Sequence, residues 1–278
     1  MSLRVGLVQL TSGDDPEANL PATEALIRDA AAGGAQLVLT PEVTNMVSQS
    51  RARQRAALRV EAEDATLARL QALAAELGLW LVIGSLALRL EDEERFANRS
   101  FLIDPAGALR ARYDKIHMFD VQVSETETWR ESAAFRPGDR AALAQTPWGG
   151  LGLTVCYDLR FPALYAALAR AGARLLSVPA AFTRPTGRAH WETLLRARAI
   201  ETGCFVLAPA QCGVHPAAEG EKRRETWGRS LVVGPWGEVL AEAGAAPGVA
   251  FADLDLEAVE RARRRIPALD HARDFRTP

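Results

Sequence analysis

Cysteine is scarce in this chain of 278 residues: there are three, Cys156, Cys204 and Cys212. An odd count with no C-x-x-C pair supports neither a disulfide framework nor a zinc cluster, so a reducing compartment is expected. No apolar run approaches the roughly 18–20 residues that a membrane-spanning helix needs. Residues 1–10 hold one arginine and a short apolar run without a small-residue cleavage site, so no secretory signal is expected and the expected location is cytoplasmic. An excess of one charge is missing as well. The 33 basic and 35 acidic side chains leave a formal net charge of −2, and no global positive field gathers nucleic acid or an anionic membrane. Neither is expected as a partner. Aromatic residues make up 6% of the chain, and the basic stretch 256–265 has none to stack on bases, so it reads as a solvated helix face. Arg51, Arg53 and Arg55, alternating with neutral residues, are read as surface in the same way.

What is present is an ordinary globular composition, 48% hydrophobic and 24% charged. The length suits one large α/β domain. Residues 3–10 form an apolar run of strand length closed by turn and helix-start residues, and 18–32 carry helix formers up to Gly33-Gly34, with Pro21 disturbing the first turn. Residues 36–39 read as a strand, 65–77 as a helix ending at Gly78, and 80–85 as a further strand. Apolar segments at 101–104, 151–155, 175–178, 205–210 and 231–234 continue the theme, with helical patterns at 163–171 and 190–202. The alternation predicts an α/β domain whose strands are covered by helices. No linker, low-complexity tract or solenoid repeat divides the chain, and 1–278 is read as one domain.

Three residues stand where such a fold puts its chemistry. Cys156 follows the strand 151–155 and precedes a turn leading to a helix, a place where amide N–H groups and a helix terminus favour a thiolate. Glu42 follows the strand 36–39, and Lys115 lies just beyond another strand-like stretch. Strand ends are where α/β sheets carry their sites. A cysteine nucleophile needs a base: the options are a Cys/His pair, drawn from His117, His190, His215 and His271, or a carboxylate with a lysine. No histidine stands in a pattern tied to Cys156.

The sequence resembles the nitrilase superfamily of carbon–nitrogen hydrolases over essentially its whole length. The carrying segments are Thr40-Pro41-Glu42, then Tyr113-Asp114-Lys115-Ile116-His117, then Gly152-Leu153-Thr154-Val155-Cys156-Tyr157-Asp158-Leu159-Arg160-Phe161-Pro162. Arg130-Glu131-Ser132, His190-Trp191-Glu192 and Trp227-Gly228-Arg229-Ser230 also match. The resemblance implies an α-β-β-α four-layer sandwich, assembled as a homodimer or larger homo-oligomer through helical faces, with no metal or organic cofactor. It implies a Glu42–Lys115–Cys156 triad, with Glu131 as a second carboxylate beside Lys115. The oxyanion of a tetrahedral intermediate would be held by Lys115 and the Tyr157 backbone N–H.

Within the family the likeness leans toward amidases of small carboxylated amides, deaminated glutathione first. The alternatives are an omega-amidase acting on 2-oxoglutaramate or 2-oxosuccinamate, and an N-carbamoyl amidohydrolase. A catalytically silent binding protein on the same fold would have a broken triad, and here all three positions are filled by the expected types. Arg160 is the candidate anchor for a substrate carboxylate. Asp158 is read as steadying the turn or pairing with Arg160, and Glu192 as pairing with Arg196 at i,i+4. Two stretches depart from the family's pattern, the arginine-rich 46–60 and the polar 213–226. Both are expected to border the substrate pocket.

Overall fold

The computed structural model describes residues 2–276 apart from 124, 126 and 222. The first apolar run is strand β1 (Ser2–Gln9). Helix α1 (Pro16–Ala32) follows, capped by Asp15, whose side chain accepts from the Glu17 and Ala18 N–H groups. Pro21 is accommodated inside this helix. Next come β2 (Leu37–Leu39), α2 (Arg51–Ala57), α3 (Ala65–Leu77), β3 (Trp80–Arg89), β4 (Phe96–Ile103) and β5 (Leu109–Asp114). Asp64 caps the start of α3, and Gly78 ends it with a left-handed φ of 63°.

A short hairpin of β6 (Asp120–Gln122) and β7 (Thr128–Arg130) leads to β8 (Ala142–Thr146), β9 (Gly149–Leu153), α4 (Pro162–Arg170) and β10 (Ala173–Ser177). The helix α5 (Arg184–Thr202) starts before the expected 190 because Pro185 is tolerated in a first turn, where its missing N–H costs nothing. Then follow β11 (Phe205–Ala208), the hairpin of β12 (Cys212–Val214) and β13 (Glu225–Trp227), β14 (Leu231–Val233), β15 (Val239–Glu242), β16 (Gly248–Asp255), α6 (Glu257–Arg265) and α7 (Ala268–His271).

Two six-stranded sheets result, with strand orders β16-β1-β2-β3-β4-β5 and β15-β14-β11-β10-β9-β8. Each has three parallel strands at its centre, β1-β2-β3 in one and β9-β10-β11 in the other, flanked by antiparallel neighbours. The period of two decides the layers. Val5, Leu7, Leu37, Leu39 and Val82 point inward and share one cluster with Leu151, Leu153, Leu175 and Leu207 of the second sheet. Their neighbours Val8, Val38, Leu81 and Ile83 point outward and pack with Ile27 of α1 and Leu70 and Leu73 of α3. Leu168 of α4 and Leu195 of α5 cover the second sheet. Helix, sheet, sheet, helix is the expected four-layer sandwich.

In α6, Val259 and Ala262 are buried while most of its charges face outward. No helix among the described residues is long and apolar enough to cross a membrane.

Candidate active site

The chain leaving β2 turns sharply at Glu42. Thr44 Oγ1 donates to the Pro41 carbonyl at 2.8 Å, the Ser85 hydroxyl accepts from Val43 N–H at 2.8 Å, and Val43 takes a left-handed φ of 46°. This turn presses against β3 so closely that a Cβ on Gly84 would lie 2.0 Å from the Thr40 carbonyl oxygen. Lys115 extends β5 by one residue, its N–H bonding the Asn98 carbonyl of β4 at 3.0 Å. Cys156 sits just past β9 with φ 52°, a strained conformation for a non-glycine residue that aims the side chain out of the turn. Its backbone N–H bonds the Pro179 carbonyl at 2.9 Å.

These elements bring Glu42, Lys115, Glu131 and Cys156 to one cleft of about 330 Å³. The Lys115 ammonium donates to Glu42 Oε1 at 2.9 Å and to both Glu131 oxygens at 2.8 and 2.9 Å. The Cys156 thiol lies beside the Glu42 carboxylate and the Ala181 backbone in the same cleft. Glu131 is fixed further by Phe119 N–H at 2.6 Å. Tyr157 lines the same cleft.

The charges hold one another in place. Burial alone would raise the Glu42 carboxyl, but Lys115, Arg224 and the bonds from the thiol and ammonium hold it below its usual range. Burial works against the Lys115 charge, yet Glu131 and Glu42 keep it more basic than an ordinary lysine. The Cys156 thiol moves the other way. Burial and the Glu42 carboxylate push it well above its ordinary value, and Lys115 only partly offsets them. The sequence pointed to a thiolate at this turn. The structure instead favours the thiol form beside a charged carboxylate, because the sulfur is buried next to an anion and the turn after it is a single short 3₁₀ segment of five residues.

Two residues that sequence reading missed or left without a task complete the support. Asn98 of β4, a strand that also carries Arg99 and Ser100, donates to Glu42 Oε1 at 2.9 Å. Nothing in the strand's pattern set it apart, because Arg99 and Ser100 follow it directly. Asp158 is fully buried and accepts from Tyr113 Oη at 2.7 Å, Val155 N–H at 2.8 Å and His117 N–H at 3.0 Å, with His117 Nδ1 at 2.7 Å. It steadies the turn rather than pairing with Arg160.

Arg160 is not among the residues lining the cleft. It lies over the Tyr157 and Phe182 rings with Nη2 3.2 Å from His190 Nδ1. Glu192 pairs with Arg196 at 3.2 Å, as its spacing suggested. The two divergent stretches do border the cleft, through Met46, Val47 and Arg51 on one side and Arg224 on the other. Arg53 and Arg55 bond Asp14 and Glu94 at the surface, but Arg51 differs from its surface reading: it turns inward, donating to the Ala134 carbonyl at 2.9 Å over the Phe96 ring.

The carbon–nitrogen hydrolase family model matches residues 4–264. A deaminated glutathione amidase from Yersinia enterocolitica is 41% identical over 275 residues, covering 97% of this chain and 92% of that protein. A protein of the same name from Homo sapiens is 40% identical over 273 residues, covering 97% and 82%. The crystal structure of the C. elegans NitFhit protein superposes with a TM-score of 0.89 at 35% identity, covering 98% of this chain, which spans only 65% of that one. The chain belongs to the carbon–nitrogen hydrolase family. Within it, the chain stands with the cysteine-dependent amidases.

Proposed function

We propose that this chain hydrolyses the terminal amide of a small carboxylated substrate, deaminated glutathione in preference, to carboxylate and ammonia. The observation that carries the reading is the Lys115 ammonium held between Glu42 and Glu131, with the Cys156 thiol in the same cleft beside Glu42. As Cys156 Sγ bonds to the amide carbon, its proton passes to Glu42, and the carbonyl oxygen becomes an oxyanion held by Lys115 and the Tyr157 N–H. Such a donor is worth about 3–4 kcal/mol. The C–N bond then breaks, Glu42 hands its proton to the departing nitrogen, and ammonia leaves a thioester on Cys156. Water attacks the thioester, Glu42 takes a proton again, and the C–S bond breaks to restore the thiol. No step calls for a metal or organic cofactor. Glu131 fixes the ammonium so that it faces the oxyanion rather than swinging away.

Residues 1–278 act in this reading as one unit, paired with at least one further copy through a helical face. The exposed Ile200, Trp236 and Ile266 support such pairing. Three unpaired, buried cysteines support a cytoplasmic setting. The relatives' shared name supports deaminated glutathione as substrate.

The test is ammonia release from deaminated glutathione and from 2-oxoglutaramate, with Cys156→Ala alongside. A Cys156-dependent preference for deaminated glutathione of tenfold or more, about 1.4 kcal/mol, is expected. A tenfold preference for 2-oxoglutaramate would make the chain an omega-amidase instead. Unchanged release by Cys156→Ala would overturn the mechanism.

A further inference from the structure

The cleft holds more positive charge than the proposed chemistry uses. Two carboxylates, Glu42 and Glu131, face four cations, Arg51, Lys115, Arg130 and Arg224. Lys115 takes both carboxylates. Among the described residues, none of the three arginines has an acidic partner, whereas Arg99, on the opposite side of β4, is bound by both Asp114 and Glu61. Arg130 is exposed at the rim and Arg51 is drawn toward the Ala134 carbonyl.

Arg224 is set differently. Its Nη2 donates to the Ala181 carbonyl, its guanidinium lies 5.0 Å from the centre of the Trp129 ring, and its Nε is buried without any acceptor. Ala181 also lies beside Cys156 in the cleft lining. The backbone of one residue therefore lies between the nucleophile and the arginine.

A half-buried guanidinium on an aromatic face, with a buried Nε short of an acceptor and no carboxylate within ion-pair distance, is costly unless a partner completes it. A planar carboxylate is the group that matches its fork. Resting on the amidase reading of the cleft, we infer that Arg224 is the specificity-determining residue that receives a carboxylate of the substrate, the part first assigned to Arg160. The amide is then gripped at both ends, by Arg224 at its carboxylate and by Lys115 at its carbonyl. A neutral amide of the same length meets an unpaired cation and is discriminated against.

The experiment measures ammonia release by wild type, Arg224→Met and Arg224→Lys on deaminated glutathione, on 2-oxoglutaramate and on 4-oxopentanamide, in which a methyl group replaces the carboxylate of 2-oxoglutaramate. Arg224→Met is expected to lower kcat/KM on the carboxylated amides about 100-fold, or about 2.7 kcal/mol, mainly through KM. That loss should exceed the loss on 4-oxopentanamide at least tenfold, and Arg224→Lys should recover part of it. Equal losses on charged and neutral amides would make Arg224 a structural support of Ala181, and wild-type kinetics in Arg224→Met would remove it from the site. Either result overturns the inference while leaving the amidase reading intact. Wild-type protein that releases ammonia from none of the three would instead overturn the amidase reading, and this inference with it.

Discussion

The Tyr113 hydroxyl donates to the Asp158 carboxylate at 2.7 Å, joining the strand that delivers Lys115 to the turn that delivers Cys156. The two belong to different sheets, so this bond sets the distance between ammonium and sulfur across the sandwich. Asp158→Asn keeps the shape but places an amide N–H₂ among donors. It is expected to cost on the order of 3 kcal/mol in stability and to lower kcat far more than it changes KM. Urea unfolding together with steady-state kinetics reads both. A variant with wild-type kcat and midpoint would show that the link positions nothing.

Lys115 is the counter-ion of two buried carboxylates. Lys115→Met leaves Glu42 and Glu131 uncompensated and is expected to cost about 3–5 kcal/mol at neutral pH. The sign with pH follows from the charges. Without the cation, both carboxyl groups favour their protonated forms in the folded state, so the deficit shrinks as pH falls toward the carboxylate range. Unfolding curves at a series of pH values check this, and a deficit that grows on acidification would contradict it.

Cys156 should not behave as a free thiolate. Its thiol is held well above its ordinary value, and its base Glu42 is held below its own. Alkylation of Cys156 by iodoacetamide is therefore expected to be nearly flat between about pH 6 and 8, falling only as Glu42 gains its proton in acid. A rise through that window with a midpoint near neutrality would mean that the thiol ionises there, and would contradict a thiol held well above its ordinary value.

His215 is buried between the Ser12 carbonyl and the Thr226 hydroxyl, and burial brings its pKa down to about 4. The unfolded chain binds a proton at this residue near pH 6.5, while the folded state refuses it until about pH 4. Stability is thus lost as pH falls through that window, by on the order of 3 kcal/mol from this group. His215→Gln should flatten the slope there, and an unchanged slope would assign the acid sensitivity to other groups.

Much of this was legible in the sequence because strands and helices alternate and because α/β sheets carry function at strand ends. Glu42, Lys115 and Cys156 stand at such strand ends, and the family likeness joined them into one expected site. Glu131 does not, since it follows a short hairpin strand and needed the family likeness to stand out. The bonds of Asn98 to Glu42 and of Asp158 to Tyr113 were illegible, because they span 56 and 45 residues and leave no local pattern. The same holds for Arg224, which lies in a polar loop and is identified only by what surrounds it. The ionisation of Cys156 was misjudged for a related reason. Its neighbour in space is a carboxylate far away in sequence, and burial beside that anion outweighs the short turn.

The most direct test of the account is the mass of the intact protein quenched in acid during turnover of deaminated glutathione. The account expects an adduct equal to the substrate less ammonia, localised to Cys156 by peptide mapping and absent in Cys156→Ala. Turnover with no adduct on Cys156 in either wild type or Glu42→Gln, or an adduct on another residue, would contradict it.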